Sequence, residues 1–482
     1  MLLLGDGSRR AEPGWDDRRR DALACATLIA WVFFVYRESF AVYFINEDFT
    51  WLLHCRFSRH GLWPLLTRDV MGGIYSWRPV VQLSMAANYA ASGVDPFGYR
   101  LTALAWHALA ACLLYRIGTT VSDPIRGMLA ATLFATHPLQ VESLSWTCAR
   151  GGPISTALLL LAVLGYLRWR QQRAALLWVA VPFALALATQ ESAIIFPALI
   201  LAAELLLPEP HLSRGRRGRL YATLGAVIVG FLLLRRAMSP AAFDFGMVGL
   251  DARWPVTVGG LLTFLIGKLQ RAAALLLTLD PATTRLALPL TAAVALAALW
   301  CWWRGRLLAL WGFIWVGIAL APYSLLLLGP VARYMHLPLA GFGLVFAELL
   351  LSAGALLAHW QRRVAVVVVA LLTALWLGHM VRAVTVQEQA FVERGRLCRQ
   401  IITDMLRLVP APPAESRLAF YGIGELRARR GVFTYGLEDA VRLFYRDDTL
   451  RVVFRPLPPR GDAAYHLWYD NGRLRLLDPE SR

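Results

Sequence analysis

Apolar runs of roughly 20 residues recur along most of this chain, long enough for an α-helix to cross a hydrocarbon core about 30 Å thick. A soluble α/β enzyme would show shorter runs, broken by turn residues. Hydrophobic residues fill 57% of the 482 positions and mean hydropathy is +0.50, against roughly 45–50% apolar residues in ordinary globular chains. The expected class is an all-α polytopic membrane protein.

The formal net charge is +17. Many arginines stand at the ends of apolar runs, where they set orientation and meet anionic headgroups, so no nucleic-acid partner is expected. Lys268 is the only lysine, which reads as compositional bias. The six cysteines show no metal-type spacing. A Cys55–Cys148 bridge and separate free thiols both stay open. Polar residues precede the first run and no clear small-residue cleavage site follows it, so the N-terminus reads as a signal anchor.

Arg18-Arg19-Arg20 place residues 1–21 in the cytoplasm as a tail. A transmembrane domain follows at 22–384. Its spans are read at 22–43, 100–119, 126–143, 153–168, 174–189, 192–208, 220–236, 286–303, 307–327, 337–358 and 364–383, about eleven in all. Arg116, Arg126, the 168–173 stretch, Arg214–Arg219, Arg304, Arg306 and Arg362-Arg363 then fall inside. Arg235-Arg236, at an outer end, run against the bias. Residues 44–99 form a long first outer loop. The stretch 237–285 reads as an outer helical segment, because Lys268, Gln270 and Arg271 are costly at a bilayer centre.

Residues 385–482 are polar and proline-punctuated, and read as a small C-terminal α/β extracytoplasmic domain. A helix is expected at about 386–408 and another at Gly436–Tyr445. Strands are expected at Leu418–Ile423, Arg451–Phe454, Tyr465–Tyr469 and Leu474–Leu477, with a hairpin at Asn471-Gly472. No 34-residue helical repeat is visible.

The informative polar residues gather at outer turns: Asn46-Glu47-Asp48 after the first span, His137, Glu142 and Arg150 at the next, then Gln190-Glu191, then Arg333-Tyr334. Ionisable groups beside apolar helix ends are expensive and mark a site or a pathway. Sugar transfer from a polyprenyl-phosphate carrier suits this set. A carboxylate takes the acceptor proton, a role for Glu47 or Asp48. A guanidinium binds the leaving phosphate, a role for Arg333 or Arg150. Each feature alone has an ordinary explanation: a solvated loop, an interfacial anchor, or a helix terminus at His137-Pro138.

The order of the segments adds more. Asn46-Glu47-Asp48-Phe49 is followed by Trp77-Arg78-Pro79-Val80, then Asn88, Gly93, Pro96-Phe97-Gly98-Tyr99 and His107. Next come Leu133-Phe134-Ala135-Thr136-His137-Pro138, Glu142, Trp146 and Arg150, then Glu191 and Pro197, then Ala332-Arg333-Tyr334-Met335-His336-Leu337-Pro338. In this the chain resembles the GT-C superfamily of membrane glycosyltransferases, and within it the protein O-mannosyltransferases and the transmembrane O-mannosyltransferases with tetratricopeptide repeats. The resemblance spans roughly residues 40–345. It implies a GT-C-like fold, a first-loop acidic base, a dolichyl- or polyprenyl-phosphate sugar donor (often mannose), inverting transfer, and several members that need no metal. Three departures stand out. Gly151-Gly152-Pro153 replace an expected acidic residue after Arg150, Gln190 replaces a lysine, and the domain at 385–482 replaces the repeats.

The resulting expectation is an extracytoplasmic glycosyltransferase of a bacterial inner membrane. Asp48 is the expected base, with Glu47 its neighbour or a ligand for a divalent metal that is not required. Arg333, Tyr334 and Arg150 bind the donor phosphate, and His137, Glu142, Arg78 and Glu191 shape the pocket. The partners are membrane lipid, a lipid-linked sugar and a protein or glycan acceptor. A transporter or lipid flippase is the alternative, as is a non-catalytic scaffold. Transporters show internal repeats and polar helices at mid-membrane. Here the polar groups collect at one face.

Overall fold

The structure is a computed structural model. It describes residues 15–56, 61–67, 70, 77–207, 211–238, 267, 271, 276, 287–324, 331–359, 361–424, 426–427, 431–455, 463–470 and 472–477. Of the expected features, residues 1–14 of the tail, nearly all of the 237–285 segment with Lys268 and Gln270, and Asn471 of the hairpin lie outside the described residues.

Helix α1 (Trp15–Val35) leads through a 3-10 turn at Arg37–Ala41 to the short helices α2 (Asp48–Cys55) and α3 (Leu62–Thr67). There follow α4 (Pro79–Ser92), α5 (Phe97–Val121), α6 (Pro124–Thr136), α7 (Val141–Ser145), α8 (Gly151–Arg170), α9 (Leu177–Leu187) and α10 (Phe196–Leu206). The bundle is completed by α11 (Arg214–Met238), α12 (Ala287–Trp303), α13 (Leu307–Ser324), α14 (His336–Ala358) and α15 (Arg362–Leu408).

Local chemistry sets several boundaries. Asp123 caps α6, its Oδ1 accepting from the Ile125 and Arg126 amides at 2.9 and 3.0 Å, with Pro124 in the first turn. Pro138 then stops the helix, leaving His137 extended at φ −72°, ψ 129°. Small residues set helix spacing. A Cβ on Gly118 of α5 would lie 2.5 Å from the Gly127 Cα of α6, so the two backbones touch only because neither residue has a side chain.

Five helices are long and apolar enough to cross a membrane: Phe97–Val121, Thr147–Arg170, Arg214–Met238, His336–Ala358 and Arg362–Leu408. Thr147–Arg170 and Phe97–Val121 are mostly buried within the bundle, whereas Arg214–Met238 and Arg362–Leu408 keep most of their apolar side chains on the outside. Val367 is 63% exposed and Leu371 56%, as lipid contact requires. The chain is an integral membrane protein. Two of the expected spans, 174–189 and 192–208, are realised as helices of 11 residues. The α-helical part of each is about 16 Å long, and a 3-10 turn at Glu191–Ile195 runs directly into the second. The span at 364–383 and the helix at 386–408 are one continuous helix of 47 residues. Val384-Thr385 carry no breaker, so the boundary placed at 384/385 falls inside α15.

One end of the bundle is laced with ion pairs. Asp21 accepts from Tyr115 Oη at 2.7 Å and pairs with Arg116. Glu348 pairs with Arg126 at 2.5 Å and Arg306 at 3.3 Å, and Glu204 with Arg217 at 2.5 Å. Pairing of this kind is what makes carboxylates tolerable at apolar helix ends.

The C-terminal residues form a four-stranded sheet of β1 (Arg417–Tyr421), β2 (Arg451–Arg455), β3 (Tyr465–Asp470) and β4 (Arg473–Leu477), in the order β2-β1-β3-β4. β1 is parallel to β2 and β3, and β3-β4 is an antiparallel pair. α16 (Leu437–Tyr445) lies between β1 and β2 in the chain. Leu418, Phe420, Val441, Leu467 and Leu474 build the small core with Met405 of α15.

Candidate active site

The acidic pair sits where an extended segment enters α2. Asp48 is fully buried. Its Oδ2 accepts from the Ile45 amide at 3.1 Å, and its Oδ1 from the Cys148 amide at 2.8 Å. One carboxylate thus ties the first outer loop to the turn at Thr147–Arg150. Burial pushes the Asp48 carboxyl up. Arg100, the two amides and Arg150 oppose it without cancelling it.

Glu47 differs. It is half-buried, and its Oε2 has no hydrogen-bond partner. Burial raises its pKa, its own amide lowers it, the Asp48 charge raises it and the Arg333 charge lowers it, for a net upward shift.

Two arginines hold the floor. Arg100 donates to the Val42 and Tyr43 carbonyls at 3.3 and 3.2 Å. Arg150, fully buried, donates to Asn88 Oδ1 at 2.6 Å, Ser84 Oγ at 3.2 Å and the Thr147 carbonyl at 3.1 Å, and lies over the Tyr99 ring at 5.3 Å. It ties α4 to the 147–150 turn, while its Nη2 has no hydrogen-bond partner among the described residues.

Arg333 joins the same end of the bundle. Its guanidinium pairs with Glu142 at 3.0 Å, its amide donates to the other Glu142 oxygen at 3.1 Å, and it packs over Trp146 and Tyr334. Tyr334 stacks on Tyr323 at 4.3 Å. Tyr323 accepts from Gln190 at 2.7 Å and donates to Ser192 at 2.7 Å. Beside them Glu191 pairs with Arg78 at 3.1 Å and Arg235 at 3.0 Å. Burial acts to raise the Glu191 carboxyl, but the two guanidiniums prevail and hold it below its usual range. A Cβ on Gly152 would meet the Arg333 carbonyl at 3.5 Å and Ser143 Oγ at 3.5 Å, so the acidic residue expected there would have pointed at the Arg333 turn.

The structure therefore brings together Glu47, Asp48, Glu142, Arg150, Arg333, Tyr334, Arg78 and Glu191. His137 begins the turn Pro138–Gln140, which packs against the Ala332–Tyr334 turn, and its ring has partners of its own. Its Nδ1 accepts from the Leu139 amide at 3.3 Å, its Nε2 lies 2.8 Å from the Leu276 carbonyl, and its ring faces Phe342 and Trp376. It terminates α6. Sequence reasoning missed Arg100, Arg235 and the Cys148 amide. Arg235 did carry a signal, as an arginine on the wrong side for the charge bias.

The six cysteines are free thiols, so the Cys55–Cys148 alternative is settled as separate thiols. Among the described residues no three His, Cys, Asp or Glu side chains converge to hold a metal ion.

No protein-family model matches the chain. Over 94 residues it is 38% identical to protein O-mannosyl-transferase Tmtc1 of Drosophila melanogaster, covering 19% of this chain and 11% of that protein. Tmtc2 of the same fly is 34% identical over 118 residues, 23% of this chain and 13% of that protein. TMTC3 of Mus musculus is 29% identical over 103 residues, 21% and 11%. The chain resembles the protein O-mannosyl-transferases of this group. The match spans about an eighth of the relatives' own length. Among solved structures, ArnT from Cupriavidus metallidurans aligns in its apo state with TM-score 0.46 and 13% identity, over 91% of this chain and 86% of that one. ArnT bound to undecaprenyl phosphate aligns with TM-score 0.45 and 12% identity, over 92% and 86%.

Proposed function

We propose that the chain is a glycosyltransferase. It moves a sugar, mannose by its relatives' names, from a polyprenyl-phosphate carrier to a hydroxyl acceptor at the extracytoplasmic face of a bacterial inner membrane. The observation that carries this reading is the convergence of four outer turns at one end of an apolar bundle. There a half-buried carboxylate with an unpartnered oxygen, Glu47, lies within the field of Arg333.

Glu47 takes the acceptor hydroxyl proton as that oxygen attacks the anomeric carbon. The bond to the carrier phosphate breaks, its electron pair leaves with the phosphate, and the anomeric configuration inverts. Burial suits Glu47 to this task, because a raised pKa makes a stronger base. Asp48 comes first on sequence alone, yet its buried oxygens already accept from two amides, which favours a positioning role. Arg333, held by Glu142 and only partly covered, receives the developing phosphate charge. Arg78, Arg235 and Glu191 frame the far wall with Tyr323 and Tyr334.

The orientation follows from charge. The basic turns at Arg116, Arg126, Arg168, Arg216 and Arg306 gather at the end opposite to this site, which supports an outer location for the site and the C-terminal domain. Polar groups massed at one end support surface chemistry over translocation.

The test is transfer of labelled mannose from polyprenyl-phosphate mannose by the purified protein in liposomes. Wild type is expected to transfer, and Glu47→Gln to lose about 100-fold or more while still binding the carrier. Equal rates for the two would overturn Glu47 as base. A wild type inert with every lipid-linked sugar offered would favour the scaffold.

A further inference from the structure

The C-terminal domain docks on the very turn that carries the acidic pair. Asn46, just before Glu47, holds φ at +47°, a left-handed conformation open to few residues besides glycine and asparagine. Support for it comes from far along the chain. Asn46 Oδ1 accepts from the Thr434 amide at 3.1 Å. The Asn46 carbonyl lies against Gly436, itself left-handed at φ +79°, where a Cβ would collide with the oxygen. Within the next turn of chain, Thr50 Oγ1 donates to Asp439 Oδ2 at 2.5 Å. Between them the fully buried Phe49 stacks on Phe433 at 5.4 Å and meets Phe444 at 6.4 Å.

Beneath, α15 presses on the preceding segment. A Cβ on Gly395 would lie 2.6 Å from the Tyr43 amide nitrogen. Four residues of one short segment, Phe433, Thr434, Gly436 and Asp439, thus fall on Asn46, Phe49 and Thr50, which bracket Glu47. A domain present only to display a binding surface would have no need to pin the backbone there.

We propose that the C-terminal domain is a working part of the acidic site, and that its segment Phe433–Asp439 is a clamp holding Asn46 left-handed and so fixing where Glu47 points. The residues of the clamp are positioning residues. Their consequence for transfer rests on the reading of Glu47 as base, whereas the clamp itself does not.

The test uses the full-length protein in lipid nanodiscs, with hydrogen–deuterium exchange over residues 44–56 read beside mannosyl transfer and undecaprenyl phosphate binding. Gly436→Ala and Asp439→Ala are expected to speed exchange at 46–52 by about tenfold and to cut transfer by a similar factor. Exchange over α8 and α14 and carrier binding stay as in wild type. Asp439→Asn, which keeps an acceptor for Thr50, restores both readouts. Gly424→Ala, whose Cβ meets nothing within 4 Å, changes neither.

Unchanged exchange at 46–52 in both disruptive variants would overturn the clamp, as would acceleration spread evenly over the whole bundle. Local loosening with full transfer would overturn its role in positioning Glu47. Should wild type transfer no sugar at all, exchange still decides the clamp, and the failure belongs to the proposed reaction alone.

Discussion

Two adjacent carboxylates, Glu47 and Asp48, meet different surroundings and so have different expected phenotypes. Asp48→Asn keeps the shape but turns an amide NH2 toward the Ile45 or Cys148 N–H. We expect a loss of roughly 1–3 kcal/mol of stability, read as a lower melting temperature. Glu47→Gln should melt like wild type and fail to transfer. A melting temperature spared in Asp48→Asn would sink the structural assignment of that residue. The pH dependence follows from the raised Glu47 pKa. The base works ionised, so the acid limb of the rate profile should lie above the ordinary glutamate value of 4.5. For stability the sign is opposite. A raised folded value favours the fold below the unfolded pKa, and that contribution is lost as pH rises through the folded value. A limb at or below 4.5 would contradict Glu47 as base.

Helices and turns bring their own constraints. The α5–α6 approach depends on two glycines, so Gly118→Val should force the pair apart and cost about 1–3 kcal/mol, seen as poor yield and early melting. Normal melting would show that the two helices can separate freely. The turn at Glu191–Ile195 gathers Arg78 and Arg235 from α4's start and α11's end. Glu191→Gln leaves two guanidiniums facing each other in a half-buried place, at roughly 1–3 kcal/mol. Glu393→Gln weakens an exposed pair with Arg396 within α15 and should cost far less. Equal melting temperatures for these two variants would remove the structural role of Glu191.

Over the whole molecule, two ends differ in chemistry, and that difference predicts an orientation that can be measured. A cysteine at Arg407 or Asp448, both exposed on the C-terminal side, should react with a membrane-impermeant maleimide added to intact cells. A cysteine at Arg173 or Arg304, exposed at the basic end, should react only after permeabilisation. The reverse pattern would invert the topology and place the acidic turn in the cytoplasm.

Much of this was legible from residues alone, because it depends on neighbours in the chain. Run length gave membrane helices, Pro138 ended α6, and alternation with turn signals placed all four strands of the C-terminal sheet within a few residues. The polar residues at helix ends pointed to the turns on which the proposed site is built. What no local pattern carries is who meets whom. Asp48 accepts from Cys148, 100 positions away, and Asn46 from Thr434, 388 positions away. Arg235 finds Glu191 only once α11 packs beside α9. Those pairings underlie the proposal of Glu47 over Asp48 as base, tie Arg150 to α4 and the 147–150 turn, and fasten the C-terminal domain to the acidic turn. Burial and hydrogen-bond partners are properties of packed neighbours, and packing brings together residues that the chain keeps far apart.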